Sequence, residues 1–359
     1  MIPLKNMPKL LLAIQEPFYP DLRGGSELST HYLFKQLLRK GWEIEALCLA
    51  HPGLWPTQDI EFWDQAPEKL KRSGGKKLSA IEDTSPGYRC LRFNGHFKKM
   101  TALLDNRLKN FKPDVVLGHF RSSIPLLKRA ANQGFPAFYY AHIVHDLKPG
   151  FRFPENIRVI ANSSFTAAYV SPMTAGAVQI VLPCMDLHRH KAARRQGRHI
   201  TFIHNPHAPK GIRLAARIAA RTPRERFVFV QGEEKFAAPN ITLLPYQERM
   251  SQVYRTTRIL LVPSQFPDPF ARVVLEAQIN GIPVVAADTG GLYDTVGGGG
   301  LLIRQKRSAA AYAQALQKLR RNPVLYRNLS RQALENSRRP DFDPKQQLDK
   351  MVELLQSVC

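Results

Sequence analysis

Two acidic residues in the C-terminal half, Asp268 and Glu276, are separated by seven residues and bracket the predicted start of a helix. The backbone N–H groups of Phe270, Ala271 and Arg272 would lie at the N-terminus of that helix. Unpaired amides and the positive end of the helix dipole suit a phosphate or sugar oxygen at such a place. The spacing therefore predicts a site for an oxygen-rich, anionic ligand.

Glu276 is surrounded in sequence by apolar residues, namely Val273, Val274, Leu275 and Ala277. A carboxylate in such surroundings is costly to bury unless other groups donate hydrogen bonds to it. Sugar hydroxyls are natural donors, so the residue predicts a sugar contact. A helix-capping or salt-bridge role is the alternative.

Two further glycine-containing segments lie between a predicted strand and a predicted helix, where a phosphate group can bind. Lys210 and Gly211 follow a predicted strand and precede a predicted helix, so the ammonium can meet a diphosphate; an exposed lysine beside a turn glycine is the alternative. Gly24 and Gly25 follow the first predicted strand, where backbone N–H groups can approach a phosphate, although a tight turn without a ligand fits equally. The segment is not GxGxxG, so nothing favours a nicotinamide cofactor.

Three residues of metal-ligand type lie close together in sequence, namely His142, His145 and Asp146. No further ligand accompanies them at a recognised spacing, so the sequence does not favour a metal site. His119 is predicted to lie in a loop near the cleft between two domains.

The charge is uneven and strongly basic. The 359 residues include 52 Lys and Arg against 29 Asp and Glu, a formal charge of +23, and such an excess attracts polyanions. Twelve basic residues lie within 69–112, against three acidic ones. This stretch predicts either an ordinary solvated face or a surface that rests on an anionic membrane. Nucleic acid is not expected, because no binding motif accompanies the charge.

Cysteine usage and hydropathy favour a reducing, cytoplasmic location. The four cysteines form no CxxC pair, which supports neither a zinc site nor a disulfide framework. The apolar run Leu10–Ile14 is too short for a signal peptide, and no segment approaches the roughly 18 apolar residues of a membrane helix. We expect a cytoplasmic protein, peripheral on the inner face of the membrane if the basic surface binds lipid.

Alternating strands and helices must position these residues. In the N-terminal half, apolar runs and helical periodicity predict strands over 9–14, 43–49, 114–118, 137–141 and 159–161, with helices over 27–40 and 124–133. After a basic stretch at 188–199 that resembles a linker, strands are predicted over 200–203, 227–230, 241–244, 259–262, 283–286 and 301–303, with helices over 212–221, 248–255 and 272–279. A helical tail from residue 308 is broken near Pro323 and Pro340. Such alternation predicts two α/β repeats with parallel sheets.

Taken together, the motifs resemble those of glycosyltransferase family 4, whose members have the GT-B fold. The donor-binding signature of that family has two acidic residues separated by seven others, then a Gly–x–Pro–Val–Val run and a Gly–Gly pair, as in residues 268–291. Its early Gly–Gly loop matches Gly24–Gly25, and its strand-borne histidine matches His142. Its Lys–Gly matches Lys210–Gly211, and its Pro–Ser matches Pro263–Ser264. The motifs follow the order of the family over nearly the whole chain.

The resemblance implies a role for each matching residue. Glu276 would hold the ribose hydroxyls, and Asp268 would bond hydroxyls of the donor sugar. Lys210 would neutralise the diphosphate with the backbone at Gly24 and Gly25, and His142 would face the sugar near the reacting carbon. The implied catalytic residues are His142, Lys210 and Asp268. The implied donor-binding residues are Gly24, Gly25, Asn205, Lys210, Gly211, Ser264, Asp268, Phe270, Ala271, Arg272 and Glu276.

Two positions depart from the family pattern. Asp268 stands where the family usually has glutamate, which shortens its reach to the sugar by one methylene. Asn205 replaces an arginine that commonly lies five residues before the lysine. Lys210 would then carry more of the phosphate charge unless a nearby arginine substitutes, and an impaired or donor-shifted enzyme is consistent with both departures.

The fold class implied is α/β and GT-B, with two Rossmann-like domains whose parallel sheets face across a cleft. We expect an acceptor-side domain over residues 1–183 and a nucleotide-sugar-binding domain over 184–335. Residues 336–359 are expected to form a C-terminal helix that packs back on the N-terminal domain.

The implied activity is transfer of a sugar from a nucleotide-diphosphate donor, with retained anomeric configuration and with neither metal nor cofactor. The expected acceptor is a cell-surface glycan, a glycolipid or a lipid-linked precursor of polysaccharide biosynthesis. Alternatives are a GT-B sugar-nucleotide epimerase, a phosphorylase, or a basic scaffold with a decayed site that binds anionic polymer or membrane.

Overall fold

The computed structural model describes residues 7–50, 80–93, 97–194, 196–205 and 209–358. The chain divides into two compact units: unit 1 comprises Met1–Met185 with Gln347–Cys359, and unit 2 comprises Asp186–Gln346. Residues 69–77 of the predicted basic surface lie outside the described residues. Within the described part of the chain, no helix combines the length and the apolar character needed to cross a membrane.

Unit 1 is built on an eight-stranded sheet. Its strands are β1 Lys9–Pro17, β2 Glu43–Leu49, β3 Ile81–Asp83, β4 Arg89–Phe93, β5 Val115–Gly118, β6 Ala137–Ala141, β7 Ile157–Ala161 and β8 Gln179–Ile180. They lie in the order β3-β4-β2-β1-β5-β6-β7-β8. Neighbours are parallel except β3 and β4, which are antiparallel. The residues from Leu10 to Ile14 are fully buried, as expected for a central strand covered on both faces.

Helices α1 Gly25–Arg39, α2 Phe97–Asn110, α3 Ile124–Asn132 and α4 Ser164–Val170 belong to unit 1. Helix α1 ends where the sequence predicts, because Gly41 takes the left-handed conformation, with φ of +84°, that favours glycine. The sequence predicts no element within 52–95, yet β3 and β4 form there. Their pattern is hidden because Arg92, a charged residue, occupies a buried position of β4.

Unit 2 contains a six-stranded sheet. Its strands are β9 His199–Ile203, β10 Phe227–Val230, β11 Ile241–Leu244, β12 Thr257–Val262, β13 Val284–Ala287 and β14 Gly300–Ile303. The order is β11-β10-β9-β12-β13-β14, and all neighbours are parallel. The predicted strands of this half are confirmed to within two residues at each end.

The helices of unit 2 are α5 Leu187–His190, α6 Ile212–Arg221, α7 Met250–Thr256, α8 Arg272–Gln278, α9 Leu292–Val296, α10 Ala309–Arg321 and α11 Pro323–Ser337. The predicted break near Pro323 is confirmed. Proline opens α11, where its missing N–H costs nothing, and the side chain of Asn322 accepts the N–H of Leu325 at 2.9 Å.

The basic stretch at 188–199 is not a simple linker, which corrects that prediction. The Nδ2 of Asn280 donates to the carbonyl of His190 at 3.0 Å, and its Oδ1 accepts the N–H of Ala192 at 2.7 Å. The N–H of Gln196 also bonds the carbonyl of Arg255 at 2.7 Å. The segment is thus attached to unit 2 at His190, Ala192 and Gln196.

The C-terminal helix α12, Pro344–Gln356, packs in unit 1. Leu348, Met351 and Leu355 join the apolar core formed around β1 and α1. Gln347 accepts the N–H of Leu182 at 2.8 Å. The chain therefore returns to unit 1 after completing unit 2, and a buried apolar face holds it there.

Candidate functional site

Three loops of unit 2 meet at the carboxyl ends of neighbouring strands. They follow β9, β12 and β13, and each carries one motif that the sequence singled out. Gly211 has φ of +88° and lies so close to the carbonyl oxygen of Pro263 that a side chain would clash. The N–H of Gln265 bonds the carbonyl of Pro209 at 3.0 Å. The Lys–Gly and Pro–Ser motifs are therefore packed against each other.

The Gly–Gly pair closes the same arrangement from the loop after β13. A Cβ on Gly290 would come within 2.6 Å of the backbone N and O of Asp268, and one on Gly291 would clash with the carbonyl of Pro269. The N–H of Gly291 donates to the carbonyl of Asp268 at 2.8 Å. These glycines hold the backbone that carries Asp268, which explains why both positions lack a side chain.

Lys210 and Asp268 form an ion pair at the centre of these loops. The Lys210 Nζ lies 2.6 Å from Asp268 Oδ2 and 4.9 Å from the centre of the Phe266 ring. Only 5% of the Asp268 side chain is exposed, against 23% of the Lys210 side chain. The structure thus brings together the predicted diphosphate cation and the predicted sugar-binding carboxylate, and it pairs them with each other.

Glu276 lies on the second turn of α8 and is almost completely buried. The hydroxyl of Tyr254, on α7, donates to Glu276 Oε2 at 2.8 Å. Among the described residues, the basic side chains at ion-pair distance from Oε1 are those of Arg272 and His190, through NH2 and Nε2, both at 3.8 Å. The donor that a buried carboxylate requires is thus a tyrosine from another helix, and this donor is not evident from the sequence.

The backbone amides before α8 are only partly available. The N–H of Arg272 donates to the carbonyl of Phe270 at 3.0 Å. This bond uses the Arg272 N–H within the turn and corrects the expectation that all three amides are open to a ligand. Phe270 and Ala271 are buried beside it.

The remaining predicted residues of unit 2 border the same loops. Ser264 follows β12 and is fully buried, and its hydroxyl has no hydrogen-bond partner within the part of the chain that the structure describes. Asn205 lies two residues beyond β9 and is partly exposed. Both are in the motif loops, as the sequence predicts.

In unit 1, the Gly–Gly loop is the N-terminus of α1, with Gly24 as its N-cap. The carboxylate of Glu27 lies against Gly24, accepts the hydroxyl of Ser26 at 2.9 Å and is 1% exposed as a residue. The helix end therefore already has an anion of its own. Any phosphate contact made by Gly24 and Gly25 must share the N-terminus with Glu27.

His142 directly follows β6 and is buried beside His119. The two rings are 5.5 Å apart at 79°, and the Tyr140 ring lies 4.1 Å from His142. His119 is completely buried, and burial lowers its pKa to about 3. It is therefore neutral and buried, and it lies in the loop directly after β5, where the sequence predicts a loop.

The third residue of the possible metal trio, Asp146, accepts the N–H of Arg121 at 2.8 Å, and burial raises the pKa of its carboxyl. His145 is exposed. No group of three metal-ligand residues in a suitable arrangement is found among the residues that the structure describes.

The predicted basic surface loses several of its charges to internal pairing. Arg107 binds both oxygens of Glu45 at 2.8 Å, and Arg89 bonds the same carboxylate at 3.1 Å. Arg92 is buried. Lys109 and Lys112 are exposed in this part of the chain. Three of the twelve basic residues of the segment 69–112, namely Arg89, Arg92 and Arg107, are therefore paired with acidic residues inside unit 1. Contact of this segment with a membrane stays a prediction.

Part of unit 2 matches a known family model, and curated relatives are similar over parts of the chain. Residues 213–336 match the family model described as Glycosyl transferases group 1. A D-inositol 3-phosphate glycosyltransferase from Rhodococcus erythropolis is 29% identical over 219 residues, covering 50% of this chain and 49% of the relative. Another from Nocardia farcinica is 47% identical over 73 residues, covering 19% of this chain and 16% of the relative. The chain thus spans at most about half the length of these curated relatives.

Solved structures show the same fold. Sucrose-phosphate synthase from Thermosynechococcus elongatus matches with a TM-score of 0.77 at 16% identity, covering 98% of this chain and 99% of the other. HepE from Anabaena, solved with UDP and glucose, matches with a TM-score of 0.70 at 17% identity, covering 98% and 100%. The chain has an α/β fold of two parallel-sheet domains, the GT-B fold that the sequence predicts.

Proposed function

We propose that this protein is a glycosyltransferase that moves a sugar from a nucleotide-diphosphate donor to an acceptor, with the donor bound by unit 2. The observation that carries the proposal is the packing of three distant motifs into one group, centred on the Lys210–Asp268 pair at 2.6 Å. The match of residues 213–336 to Glycosyl transferases group 1 supports the same activity.

Lys210 is the cation proposed to meet the diphosphate. Its ammonium is partly exposed and is held over the loops by Asp268 and by the face of Phe266. Because Asn205 replaces the arginine of the family pattern, Lys210 supplies a larger share of the positive charge that stabilises the leaving group. The incoming diphosphate competes with Asp268 for the ammonium.

Glu276 is proposed to hold the pentose of the nucleotide, and Asp268 to bond the sugar. In the transfer step, the bond between the anomeric carbon and the diphosphate oxygen breaks while the acceptor oxygen bonds the same carbon. The acceptor proton passes to the departing phosphate oxygen, and the nucleoside diphosphate leaves. Attack from the face of departure retains the anomeric configuration and requires neither a carboxylate nucleophile nor a metal ion.

The acceptor is proposed to bind through unit 1, where His142 follows β6. The curated relatives are named for an inositol phosphate, an acceptor with several hydroxyls and a phosphate. We extend to this chain only the class, a hydroxyl-bearing acceptor such as a cell-surface glycan, a glycolipid or a lipid-linked precursor.

The first test identifies the donor. UDP-, GDP-, ADP- and dTDP-sugars should be screened for thermal stabilisation, because a bound donor raises stability with the logarithm of its concentration over its dissociation constant. Turnover is then measured with the donor that stabilises most, in the presence of EDTA as well as in its absence. We expect turnover to persist in EDTA.

The second test removes the proposed contacts. Lys210→Ala or Glu276→Ala should each lower turnover by roughly tenfold to a thousandfold, as for the loss of an electrostatic stabiliser. Lys318→Ala is the matched control, because Lys318 is an exposed lysine on α10 of the same unit. Full activity in both site variants would refute the assignment.

A further inference from the structure

The contacts of Glu276 divide its two carboxylate oxygens into unequal roles. Oε2 accepts the hydroxyl of Tyr254 at 2.8 Å, a distance typical of a good O–H···O bond. Oε1 lies at ion-pair distance, 3.8 Å, from Arg272 and from His190. One oxygen accepts a short hydrogen bond from the protein, and the contacts of the other with basic side chains of the described residues are longer than a hydrogen bond.

Tyr254 is suited to donating a hydrogen bond to Glu276. The residue is 0% exposed and belongs to the apolar core of unit 2, which also contains Val262 and Ile282. Burial, together with the negative charge of Glu276, raises the pKa of Tyr254 well above its ordinary value. The hydroxyl therefore keeps its proton at any physiological pH and donates to the carboxylate.

A contribution to folding stability alone does not explain the hydrogen-bonded pair of Tyr254 and Glu276 well. A buried carboxylate costs free energy even when one donor satisfies it, and an apolar side chain on α8 would fill the same space without that cost. Tyr254 in turn would be satisfied by any neutral acceptor. Here the acceptor is the charged carboxylate of Glu276, and its Oε1 has no short hydrogen bond among the described residues. This arrangement is expected where a ligand donates hydrogen bonds to Oε1.

We propose that Tyr254 is a positioning residue for the nucleotide, because its hydroxyl holds Glu276 Oε2 and so presents Oε1 to the hydroxyls of the pentose. The inference rests on the proposed function, in which Glu276 contacts the pentose. The preference for a ribose over a 2′-deoxyribose then depends on Tyr254, which lies on α7 and need not touch the ligand.

The experiment compares Tyr254→Phe with the wild type by calorimetry. The probes are UDP with dUDP, GDP with dGDP, and ADP with dADP, and the pair that contains the tightest ligand is used. We expect the wild type to bind the ribose form about tenfold more tightly than the 2′-deoxy form, the scale of a hydrogen bond to a charged group. In Tyr254→Phe we expect this ratio to fall to about two or less, mainly through weaker binding of the ribose form.

Tyr326→Phe is the matched control. It removes a hydroxyl of the same kind in the same unit, one that donates to the carbonyl of Arg258 at 3.1 Å near the start of β12. It should keep the ribose preference of the wild type. The thermal midpoint of each variant without ligand separates a loss of positioning from a loss of folding.

Glu276→Asp serves if Tyr254→Phe does not fold. It keeps the charge but draws the carboxylate back from Tyr254 by one methylene, so the ribose preference should be lost as well. A preserved preference in Tyr254→Phe overturns the inference about Tyr254 and leaves the proposed function intact. A preserved preference in Glu276→Asp overturns the proposed role of Glu276 and the inference with it. A wild type that binds no nucleoside diphosphate, or binds the ribose and 2′-deoxy forms equally, overturns the proposed role of Glu276 and the inference with it.

Discussion

Two buried clusters of charge, one in each unit, differ in how completely their members are paired. In unit 1, the guanidinium of Arg92 donates to Asp83 at 2.8 Å and to the carbonyl of Tyr19 at 2.9 Å, and it contacts Asp21 at 3.0 Å. We call these four residues the closed cluster. In unit 2, Glu276 has one short hydrogen bond and two contacts at 3.8 Å.

The difference indicates which cluster is structural and which is suited to a ligand. A buried ion cluster that satisfies its own groups has little to offer a ligand and stabilises the shape around it. The closed cluster ties β4 to the loop between β1 and α1, and this loop leads to Gly24 and Gly25. Glu276, with an oxygen whose contacts in the described part of the chain are all long, can gain hydrogen bonds when a ligand binds.

The largest expected effect is the loss of the closed cluster. Arg92→Met would leave the carboxylates of Asp21 and Asp83 buried without their cation, so the free energy of unfolding of unit 1 should fall by about 3–5 kcal/mol. Denaturant unfolding followed by circular dichroism measures the change. Arg129→Met is the control, because the Arg129–Asp105 pair is exposed and its loss should have little effect. Equal effects of the two substitutions would contradict the comparison.

A second test of unit 1 uses pH. His119 binds fewer protons when folded than when unfolded, because burial lowers its pKa to about 3 against an ordinary value of 6.5. Its contribution to stability is therefore complete above pH 6.5 and declines as the pH falls below that value. Between pH 7 and pH 5 the decline should be roughly 2 kcal/mol.

His119→Phe should remove this decline, since the substituted ring carries no titrating nitrogen. Denaturant unfolding of both proteins at several pH values between 5 and 7.5 provides the measurement. Identical pH dependence in the two proteins would show that His119 does not remain neutral inside unit 1.

The smallest expected effect concerns the ion pair of unit 2. Asp268→Asn removes the carboxylate that competes with a diphosphate for Lys210, so the affinity for a nucleoside diphosphate without its sugar should rise by roughly fivefold, or about 1 kcal/mol. Turnover should fall at the same time, because Asp268 is proposed to bond the sugar. Calorimetry and a turnover assay give the two values.

Asp341→Asn is the control for this charge change, because the Asp341–Arg339 pair of unit 2 is exposed. It should leave the affinity unaltered. A weaker affinity in Asp268→Asn would mean that Asp268 holds Lys210 in place for the phosphate and does not compete with it.

The sequence predicted the alternation of strands and helices well, because apolar runs mark buried parallel strands directly. It failed at β3 and β4, where a buried arginine breaks the apolar pattern of β4. The family resemblance implied one donor site for Lys210 and Asp268, and in the structure both follow parallel strands at one edge of the sheet. The sequence did not identify Tyr254 or His190, since neither has a sequence neighbour in the motifs.

By itself, the sequence determined the two α/β units, the loops that carry the motifs and the types of residue offered to an anionic ligand. Only the tertiary structure decided which polar side chains bond each other: Lys210 with Asp268, Arg92 with Asp21 and Asp83, and Glu276 with Tyr254. The physical reason is that local patterns record the burial and periodicity of a segment. A hydrogen bond or ion pair between side chains of different elements depends on how those elements pack.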